Sequence, residues 1–360
     1  MQAEDGQSMT AIPGPRELFE STFDAVESIF NQPWSDGLPV VPPTPDRVEE
    51  MIEAGGREGD NALGTIKARD LTLYVWQAAT CAVMAGCLPS YFPVVLATWD
   101  AMFQPAFNIN TVLSSTGGAS IAALVSGPYA EKIGMRSGLG LFSPGNRANA
   151  TIGRAIRLGA LTALKAIVGE LDASSFGHAG KYTFHFAEST PPYGWATLRE
   201  RLGYSLSDTT VSILSSEAPR QVAHRFNPTA QGLLNLIGST MKMAGGCCTG
   251  SISPYFVLLG PEHAGVLFEG GLGLDEIQYE LSRTSAISPD ELRAAGIEPE
   301  TPGTHFSEER DERGYHYSAK PENILVTTAG GQGAGWSMVV PSWSMCTISD
   351  SVTWPVQLPL

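Results

Sequence analysis

Two stretches of the chain share one pattern, and that pattern limits the possible folds more than any other feature. Residues 114–141 match residues 247–274 without a gap in a Thr-Gly pair, a Gly-Pro pair and a Gly-Leu-Gly-Leu sequence. In both stretches an apolar run of strand length ends at the Gly-Pro pair, and a proline after glycine fits the first turn of a helix. The pattern therefore predicts a strand–turn–helix unit that occurs twice.

From this repeat we predict an α/β fold with two related halves, formed by internal duplication and packed around a pseudo-twofold. A chain of 360 residues is long for one domain and is typical of two closely packed halves. We expect residues 1–14 to be a disordered lead-in and residues 15–205 to form the N-terminal half with the first unit. Residues 206–360 would form the C-terminal half, which contains the second unit and a late Gly-rich loop.

Composition excludes several classes of function. The net charge of −15 disfavours binding to nucleic acid or to anionic membranes through the overall field. No run of about eighteen apolar residues exists, so no membrane span is predicted. The N-terminus lacks a basic region followed by an apolar core, so we expect no signal peptide and a cytoplasmic location.

The cysteines favour reduced thiols over a disulfide framework or a zinc site, because their number is odd and their spacing matches neither. They are Cys81, Cys87, Cys247, Cys248 and Cys346. Cys247 and Cys248 lie in a Gly-rich loop, where converging backbone N–H groups can lower a thiol pKa and create a nucleophile or redox centre. The alternative is that two small residues pack in a tight turn.

The residues that correspond to the two thiols in the first unit are Ser114 and Ser115. We expect these hydroxyls to help bind a substrate, unless they are only a relic of the duplication. His263 follows the second Gly-Pro pair, where the first unit has Ala130. This histidine is a candidate base for a thiol, and a capping or core-edge histidine is the alternative.

Residues 178–188 contain the densest group of side chains suited to proton transfer: His178, Lys181, His185 and Glu188. Alternating residues after a Gly-His turn predict a strand here. Two histidines seven residues apart on an extended strand are about 23 Å apart, too far for one metal ion unless the turn folds back. We therefore expect His178 and Lys181 at a site and no metal or cofactor, although a metal site of His178, His185 and Glu188 stays open.

Polar residues at the start of a predicted helix are candidates for holding an anionic group: Asn146, Arg147, Asn149 and Arg154. Salt bridges to the abundant acidic residues are the alternative for each arginine. In the late Gly-rich loop, Gly331 and Gly333 could line a substrate or anion pocket. The loop lacks the lysine-serine pair and the glycine spacing of nucleotide-binding motifs.

Four segments carry a resemblance to a known family: Gly37–Thr44, Ala82–Pro89, Asn149–Ala155 and Gly177–Tyr182. They resemble an uncharacterised bacterial family whose members are often encoded beside small proteins with a Cys/selenocysteine-Gly-Ser-Cys (UGSC) motif. The resemblance runs from about residue 30 to the C-terminus. Since UGSC motifs look like the thiol or selenol centre of glycine-reductase-type enzymes, it implies thiol chemistry on a small substrate with a partner subunit.

The chain departs from that family pattern at three places. Ala179 stands where the pattern has proline, and Ser90 where it has glutamate. In the late Gly-rich loop, Gly335 or Trp336 stands where the pattern has histidine. If that histidine is needed, the chemistry of this member is altered or lost.

These observations lead to one functional hypothesis with two alternatives. We expect a cytosolic enzyme that uses thiol chemistry at the Cys247–Cys248 loop on a small anionic substrate, as a lyase, transferase or reductase. The alternatives are a non-catalytic substrate-binding subunit of a thiol or selenol enzyme complex and a metal-dependent lyase or hydrolase. The expected partners are a small UGSC-type protein and further copies of this chain.

Overall fold

The computed structural model describes residues 13, 17–244, 252–298 and 310–359. Cys247, Cys248 and nearly all of the predicted lead-in lie outside these ranges. The described strands are β1 Ala62–Ile66, β2 Leu71–Tyr74, β3 Ser120–Ser126, β4 His185–Ala187, β5 Thr210–Ser216, β6 Arg220–Ala223, β7 Tyr255–Leu259, β8 Ile324–Thr328, β9 Trp336–Pro341 and β10 Val352–Pro355. The described helices are α1 Thr22–Phe30, α2 Pro45–Gly55, α3 Val75–Ala85, α4 Phe92–Met102, α5 Ile109–Leu113, α6 Pro128–Lys132, α7 Arg147–Thr162, α8 Leu198–Arg201, α9 Ala230–Ala244, α10 Pro261–Glu269, α11 Leu274–Ser285 and α12 Pro289–Ala294.

The predicted α/β class is confirmed: two mixed four-stranded sheets form the centre of the molecule. Their strand orders are β10-β5-β3-β4 and β6-β9-β7-β8, and β1 and β2 form a separate hairpin. In the first sheet β3 is antiparallel to β5 and parallel to β4. In the second sheet β7 is antiparallel to β9 and parallel to β8. The two sheets thus have the same order of strand directions around their central strands.

The chain exchanges strands between the sheets at two corresponding places. After β5 in the first sheet it adds β6 to the second sheet, and after β9 in the second sheet it adds β10 to the first. Backbone hydrogen bonds join the sheets where these crossings begin, from Glu217 N to the Pro341 carbonyl (3.0 Å) and from Trp343 N to the Ser215 carbonyl (2.8 Å). The predicted boundary between residues 205 and 206 falls just before β5, although β5 belongs to the first sheet.

Successive residues of a strand point to opposite faces, so each of the two sheets contributes side chains to two apolar cores. Three cores result, because the two sheets share one of them. Ala123 and Val125 of β3 face the core beneath helices α3, α4 and α7. Val257 of β7 faces the core beneath α9 and α11. The remaining apolar faces of the two sheets pack on each other in a third core. The order of layers is therefore helices, sheet, sheet, helices.

The Gly-Pro pairs have the predicted effect. Gly127 and Gly260 end β3 and β7, and Pro128 and Pro261 open α6 and α10. Within the strands, however, the ungapped match fails. Ala122 and Leu124 of β3 face the other sheet, whereas the residues matched to them, Tyr255 and Val257, face the helices. A shift of one residue along a strand exchanges its two faces. The two sheets therefore correspond only if the alignment of β3 with β7 is shifted by one residue relative to the alignment of the Gly-Pro pairs.

The predicted strand around residue 185 is shorter than its alternation indicated. A 3₁₀ turn covers Ala179–Lys181, and β4 spans only His185–Ala187. Phe184 and Phe186 lie between the two sheets. None of the helices in the described ranges is long and apolar enough to cross a membrane.

The core between the sheets should be the most sensitive to truncation. Phe256 is fully buried there, with its ring centroid 6.0 Å from that of Phe186 on the other sheet. We expect Phe256→Ala to lower the free energy of unfolding by about 3–5 kcal/mol, because it leaves a cavity that neither sheet can close. Denaturant unfolding measures the loss. Phe226→Ala is the matched control, since Phe226 is 86% exposed and should change stability by less than about 0.5 kcal/mol. Equal effects of the two changes would contradict the assigned packing.

Candidate functional site

The sheet junction, defined here as Ser120, Ser215–Glu217 and Pro341–Trp343, is the place where the two sheets are joined by hydrogen bonds. The hydroxyls of Ser120 and Ser216 are 2.7 Å apart, and the Ser342 hydroxyl donates to the Ser215 carbonyl at 3.0 Å. All four serines are buried. Their hydroxyls can be buried because they bond to each other and to backbone carbonyls.

The loop that carries Ser114 and Ser115 comes to this junction. A Cβ on Gly117 would collide with Nε1 of Trp343, so the loop backbone packs directly against the indole. Ser115 Oγ accepts a hydrogen bond from Gly117 N (2.8 Å), and Ser114 Oγ donates to the Asn110 carbonyl (2.9 Å). Both hydroxyls thus support the shape of the loop.

The chain that follows the Cys247–Cys248 loop also comes to the junction. Ile252 accepts a hydrogen bond from Cys346 N at 3.0 Å, and Pro254 accepts one from Ser342 N at 3.1 Å. Ser253 between them is fully buried, and its hydroxyl has no partner among the described residues. The segments before β3 and β7 therefore approach the same place from the two sheets.

His178 is held at the junction as a neutral imidazole. Its Nε2 lies 3.2 Å from the Ser216 carbonyl, and its Nδ1 accepts from Gly180 N at 3.2 Å, so Nε2 carries the proton. Burial lowers the pKa of His178, and the nearby charge of Lys181 acts in the same direction. The histidine loop meets the serine loop closely at Gly118, whose φ of 73° suits glycine and whose Cβ would lie 2.7 Å from Gly177.

Lys181 belongs to a charged cluster centred on Asp172. Asp172 is 2% exposed and accepts from Lys181 Nζ (2.7 Å), Arg157 Nη2 (3.0 Å) and the Ser174 hydroxyl. Burial by itself would raise the pKa of Asp172, but the bonds from Lys181 and Ser174 and the two positive charges outweigh it and lower that pKa. The cavity beside Lys181 and Arg157 measures about 30 Å³, enough for about two water molecules and too small for a substrate.

Glu217 is the titratable group that sequence reasoning missed. It directly follows β5 at the junction, and burial raises the pKa of its carboxyl to about 6, against a weak opposite effect of Arg220. No hydrogen bond or ion pair of its carboxylate is found among the described residues. A signal was present, since an acidic residue right after a buried strand is a common arrangement for a site at a strand end.

Two of the five thiols are structural. Cys81 and Cys87 are buried, and burial raises the pKa of each to about 12. Cys346 is partly exposed and lies beside the junction. Since Cys247 and Cys248 lie outside the described residues, the prediction of thiol chemistry in their loop stays a prediction.

The residues predicted to hold an anion have partners within the protein. Arg154 makes a bidentate ion pair with Asp36 at 2.7 and 3.0 Å, which fixes the Pro-rich N-terminal segment on α7. Asn149 binds the N–H and carbonyl of Arg136, at 2.9 and 3.0 Å. Asn146 caps α7 and donates to Gly134, and Arg147 Nε donates to the Gly86 carbonyl. These contacts correspond to the salt-bridge alternative for Arg154 and to loop positioning for the others.

The remaining candidates lie away from the junction. His263 is fully buried, with Nδ1 2.8 Å from the Ser337 hydroxyl and Nε2 3.3 Å from the His224 carbonyl. Gly333 N donates to the carboxylate of Glu262, which closes the late Gly-rich loop onto α10. A Cβ on Gly331 would collide with the backbone of Leu139, so this glycine allows two loops to touch.

The three residues of the metal hypothesis do not converge. His185 is buried with Nε2 3.3 Å from the Thr98 hydroxyl, and burial lowers its pKa to about 3. Glu188 binds Ser126, Thr327 and the Leu198 N–H instead of a histidine. Among the described residues, no group of three or more His, Cys, Asp or Glu is arranged to hold a metal ion.

No protein-family model matches the chain, and no curated protein is similar to it.

The Asp172 cluster gives a test of how the junction is held. We expect Asp172→Asn to lower the free energy of unfolding by about 3 kcal/mol at pH 7, because it leaves two cations without their buried partner. The lowered pKa means that the carboxylate stabilises the fold above its unfolded pKa near 3.8, and this contribution disappears as the pH falls through the folded value. The difference between variant and wild type should therefore shrink below about pH 4.

Asp275→Asn is the control for this change, since the Asp275 side chain is 90% exposed in a weak pair with Arg201. It should cost less than about 0.5 kcal/mol at any pH. Denaturant unfolding of both variants at several pH values is the measurement. If Asp172→Asn lowers the free energy of unfolding by the same amount at pH 3 as at pH 7, the shape of the side chain and not its charge is responsible.

Proposed function

We propose that this protein is an enzyme that uses a thiol of the Cys247–Cys248 loop for nucleophilic or redox chemistry on a small molecule at the sheet junction. The observation that carries the proposal is Glu217. The pKa of this carboxyl is raised to about 6, and its carboxylate has no hydrogen bond or ion pair among the described residues. It lies where the chain from the cysteine loop reaches the junction. Such a group can accept and return a proton near neutral pH.

We infer that the two halves arose by internal duplication and are related by a pseudo-twofold. Three observations support this: the repeated Gly-Pro corners, the identical order of strand directions in the two sheets, and the reciprocal exchange of β6 and β10. The bonds from Glu217 N to Pro341 and from Trp343 N to Ser215 also form a reciprocal pair. The one-residue slip in β3 and β7 is compatible with a later insertion or deletion near the Gly-Pro corner.

The proposed symmetry connects Glu217 with the thiols. In the first half, the Ser114–Ser115 loop packs against Trp343. The counterpart of that loop is the Cys247–Cys248 loop, and the counterpart of Trp343 is Glu217. We therefore assign Glu217 as the group that controls the protonation of a thiol in the second half.

The other roles at the junction follow from the contacts. His178, neutral and bonded at both nitrogens, positions the loop over Ser216, and Lys181 holds that loop to Asp172. Arg154, which we expected to hold an anion, is paired with Asp36 instead.

A cytoplasmic location and a partner are further parts of the proposal. Cys81 and Cys87 are free thiols, as expected in a reducing compartment. The resemblance to the UGSC-associated family supports a small thiol or selenol protein as partner. Assembly into homo-oligomers is proposed with it.

Alkylation with iodoacetamide across a pH series, mapped by peptide mass spectrometry, tests the thiol. We expect Cys247 or Cys248 to react in the native protein with an apparent pKa below about 8.5, the value of a free thiol. Cys81 and Cys87 are controls within the same chain, because they are buried with pKa values raised to about 12 and should react only after unfolding. If Cys247 and Cys248 also react only in denaturant, the thiol mechanism is excluded.

Glu217→Gln tests the assigned proton-transfer group. In the wild type, the alkylation rate of the reactive thiol should show an inflection near pH 6, where Glu217 ionises, and the variant should lack it. Stability gives an independent readout, because a raised folded pKa means that stability is lost as the pH rises through about 6. The variant should avoid this loss and be more stable than the wild type at pH 8 by roughly 1 kcal/mol.

Glu269→Gln, at an exposed position away from the junction, is the control and should change neither profile. If Glu217→Gln alters stability as expected but leaves the alkylation profile unchanged, Glu217 is a buried acid without a role at the thiol.

A further inference from the structure

A cavity lies at the other end of β3 from the junction. It has a volume of about 720 Å³ and lies outside the carboxyl ends of β3 and β4. Small-molecule sites are typically about 300–1,000 Å³, and in α/β proteins they occur outside the carboxyl ends of strands. One wall of the cavity is a single segment, because residues 187–191 and 194–197 all line it. A movement of this segment would therefore change access to the cavity.

The segment is fixed at its two ends and not between them. Ser189 N donates to the Thr328 carbonyl (2.9 Å), and Leu198 N donates to the carboxylate of Glu188 (2.8 Å), which ties the end of the segment to its start. Residues 190–196 make no hydrogen bond to any other described part of the protein. A stretch without such bonds can open locally while the rest of the fold stays intact.

The tip of the segment is a strained turn. Trp195 N donates to the Pro192 carbonyl (3.2 Å), and the two residues between them have positive φ, 62° at Tyr193 and 74° at Gly194. Glycine, asparagine and aspartate are the usual residues of such a turn. A bulky aromatic residue with positive φ is a genuine outlier, and strain of this kind is concentrated at ligand clamps and switch regions.

The ring of Tyr193 holds the tip on helix α10. It stacks on Phe268 with centroids 4.3 Å apart and an angle of 9°, and Trp195 packs edge-on to the same ring at 6.3 Å. Tyr193 and Phe268 are 49% and 43% exposed, so the stack lies at the surface. A Cβ on Gly265 of α10 would lie 3.0 Å from the Tyr193 hydroxyl, and its other close contact would also be with Tyr193. The glycine thus leaves room for this ring.

We propose that residues 190–196 form a flap that controls access to the cavity and is closed here by the stack of Tyr193 on Phe268. The stack stabilises the closed flap, and the positive φ of Tyr193 destabilises it. Opening breaks the stack and releases the backbone strain. An aromatic pair of this kind changes an equilibrium by about two- to tenfold, so the flap can open while the sheets stay folded. The inference does not depend on the thiol chemistry at the junction.

Digestion of the full chain with chymotrypsin, with the cuts mapped by mass spectrometry, tests the stack. Chymotrypsin cleaves after aromatic residues, and a cut after Tyr193 or Trp195 requires the flap to leave the surface, so its rate follows the open population. Phe268→Ala leaves the sequence of the flap unchanged and removes the ring on which it stacks. We expect this change to raise the rate of these cuts by about two- to tenfold.

Gly265→Val is a second variant that reaches the same contact in another way. It replaces a helical glycine by a better helix former, so α10 should not lose stability, while the new side chain takes the place of the Tyr193 hydroxyl. The same cuts should become at least about twofold faster. Phe176→Ala is the control, since Phe176 is 99% exposed in the histidine loop at the junction, and it should leave the rate unchanged.

The same digests separate opening of the flap from general unfolding. Phe256 is fully buried between the sheets, so a cut after it requires the fold to open. Its rate should be the same in the wild type and in both variants. The flap is rejected if neither variant is cut faster after Tyr193 or Trp195, or if cuts after Phe256 become faster in the same proportion.

The strain at the tip has a test of its own. In the Phe268→Ala protein, where the stack is absent, Tyr193→Asn replaces the strained residue by one that tolerates positive φ. This second change should slow the cut after Trp195 by about fivefold, because the closed turn no longer carries the strain of Tyr193. A cut that is equally fast or faster would contradict the release of strain on opening.

A thiol placed in the wall measures access to the cavity itself. Met135 lines the cavity and is 7% exposed, so the thiol of Met135→Cys should react with iodoacetamide mainly when the flap is open. Adding Phe268→Ala should speed this reaction by about two- to tenfold, in parallel with the chymotrypsin cuts. If the cuts become faster and the alkylation does not, the segment opens without controlling the cavity, and the proposal is overturned.

Discussion

The burial of β3 and β7 on both faces is the constraint on which the rest of this structure depends. Helices cover the outer face of each strand, and the other sheet covers the inner face. A polar side chain within such a strand has no exposed face on which to contact solvent, so the polar groups lie at the strand ends. The serine hydroxyls of the junction and the network of Glu188 with Ser126 and Thr327 are the two results. Both bind the sheets to each other, and they do so at opposite ends of β3.

The sequence predicted those parts of the fold that depend on local signals. In both repeat units, glycine followed by proline ends a strand and begins a helix. Both strand-to-helix turns could therefore be predicted from the sequence. Strands buried on two faces show no alternation of polar and apolar residues, and for this reason the slip between β3 and β7 stayed hidden. The exchange of β6 and β10 was equally hidden, because it depends on pairing between segments far apart in the chain. Ion pairs could not be predicted for the same reason. Asp36 and Arg154 are 118 residues apart, and the sequence around each residue does not indicate its partner.

Three carboxyls, of which Asp172 is buried and Glu188 and Glu217 are half-buried, show how the surroundings, more than burial, determine the chemistry of an acid. Asp172 meets two cations and keeps a lowered pKa, so it is a structural anchor. Glu217 has no ion-pair partner among the described residues, and the charge of Arg220 opposes the effect of burial only in part, so its pKa rises to about 6, where it can exchange protons. Glu188 lies between these extremes, since three neutral donors and the charge of Arg199 oppose the effect of its burial without overcoming it. Residue type and position along a strand could predict that these acids exist, but only the partners could separate their roles.

The antiparallel pairing of β3 with β5 and of β7 with β9 explains why a site could develop at the junction. It brings the residues that follow β5 and β9 beside the loops that precede β3 and β7. Under the proposed duplication, the two halves then differ at both members of this pair. The half with the serine loop has the indole of Trp343, which fills the space beside Gly117, and the half with the cysteine loop has the carboxyl of Glu217. A thiol gains reactivity from a neighbouring proton acceptor, whereas hydroxyls that only shape a loop do not need one. Under the proposed function, the two differences are one change, in which a packing pair in one half corresponds to a thiol and its base in the other.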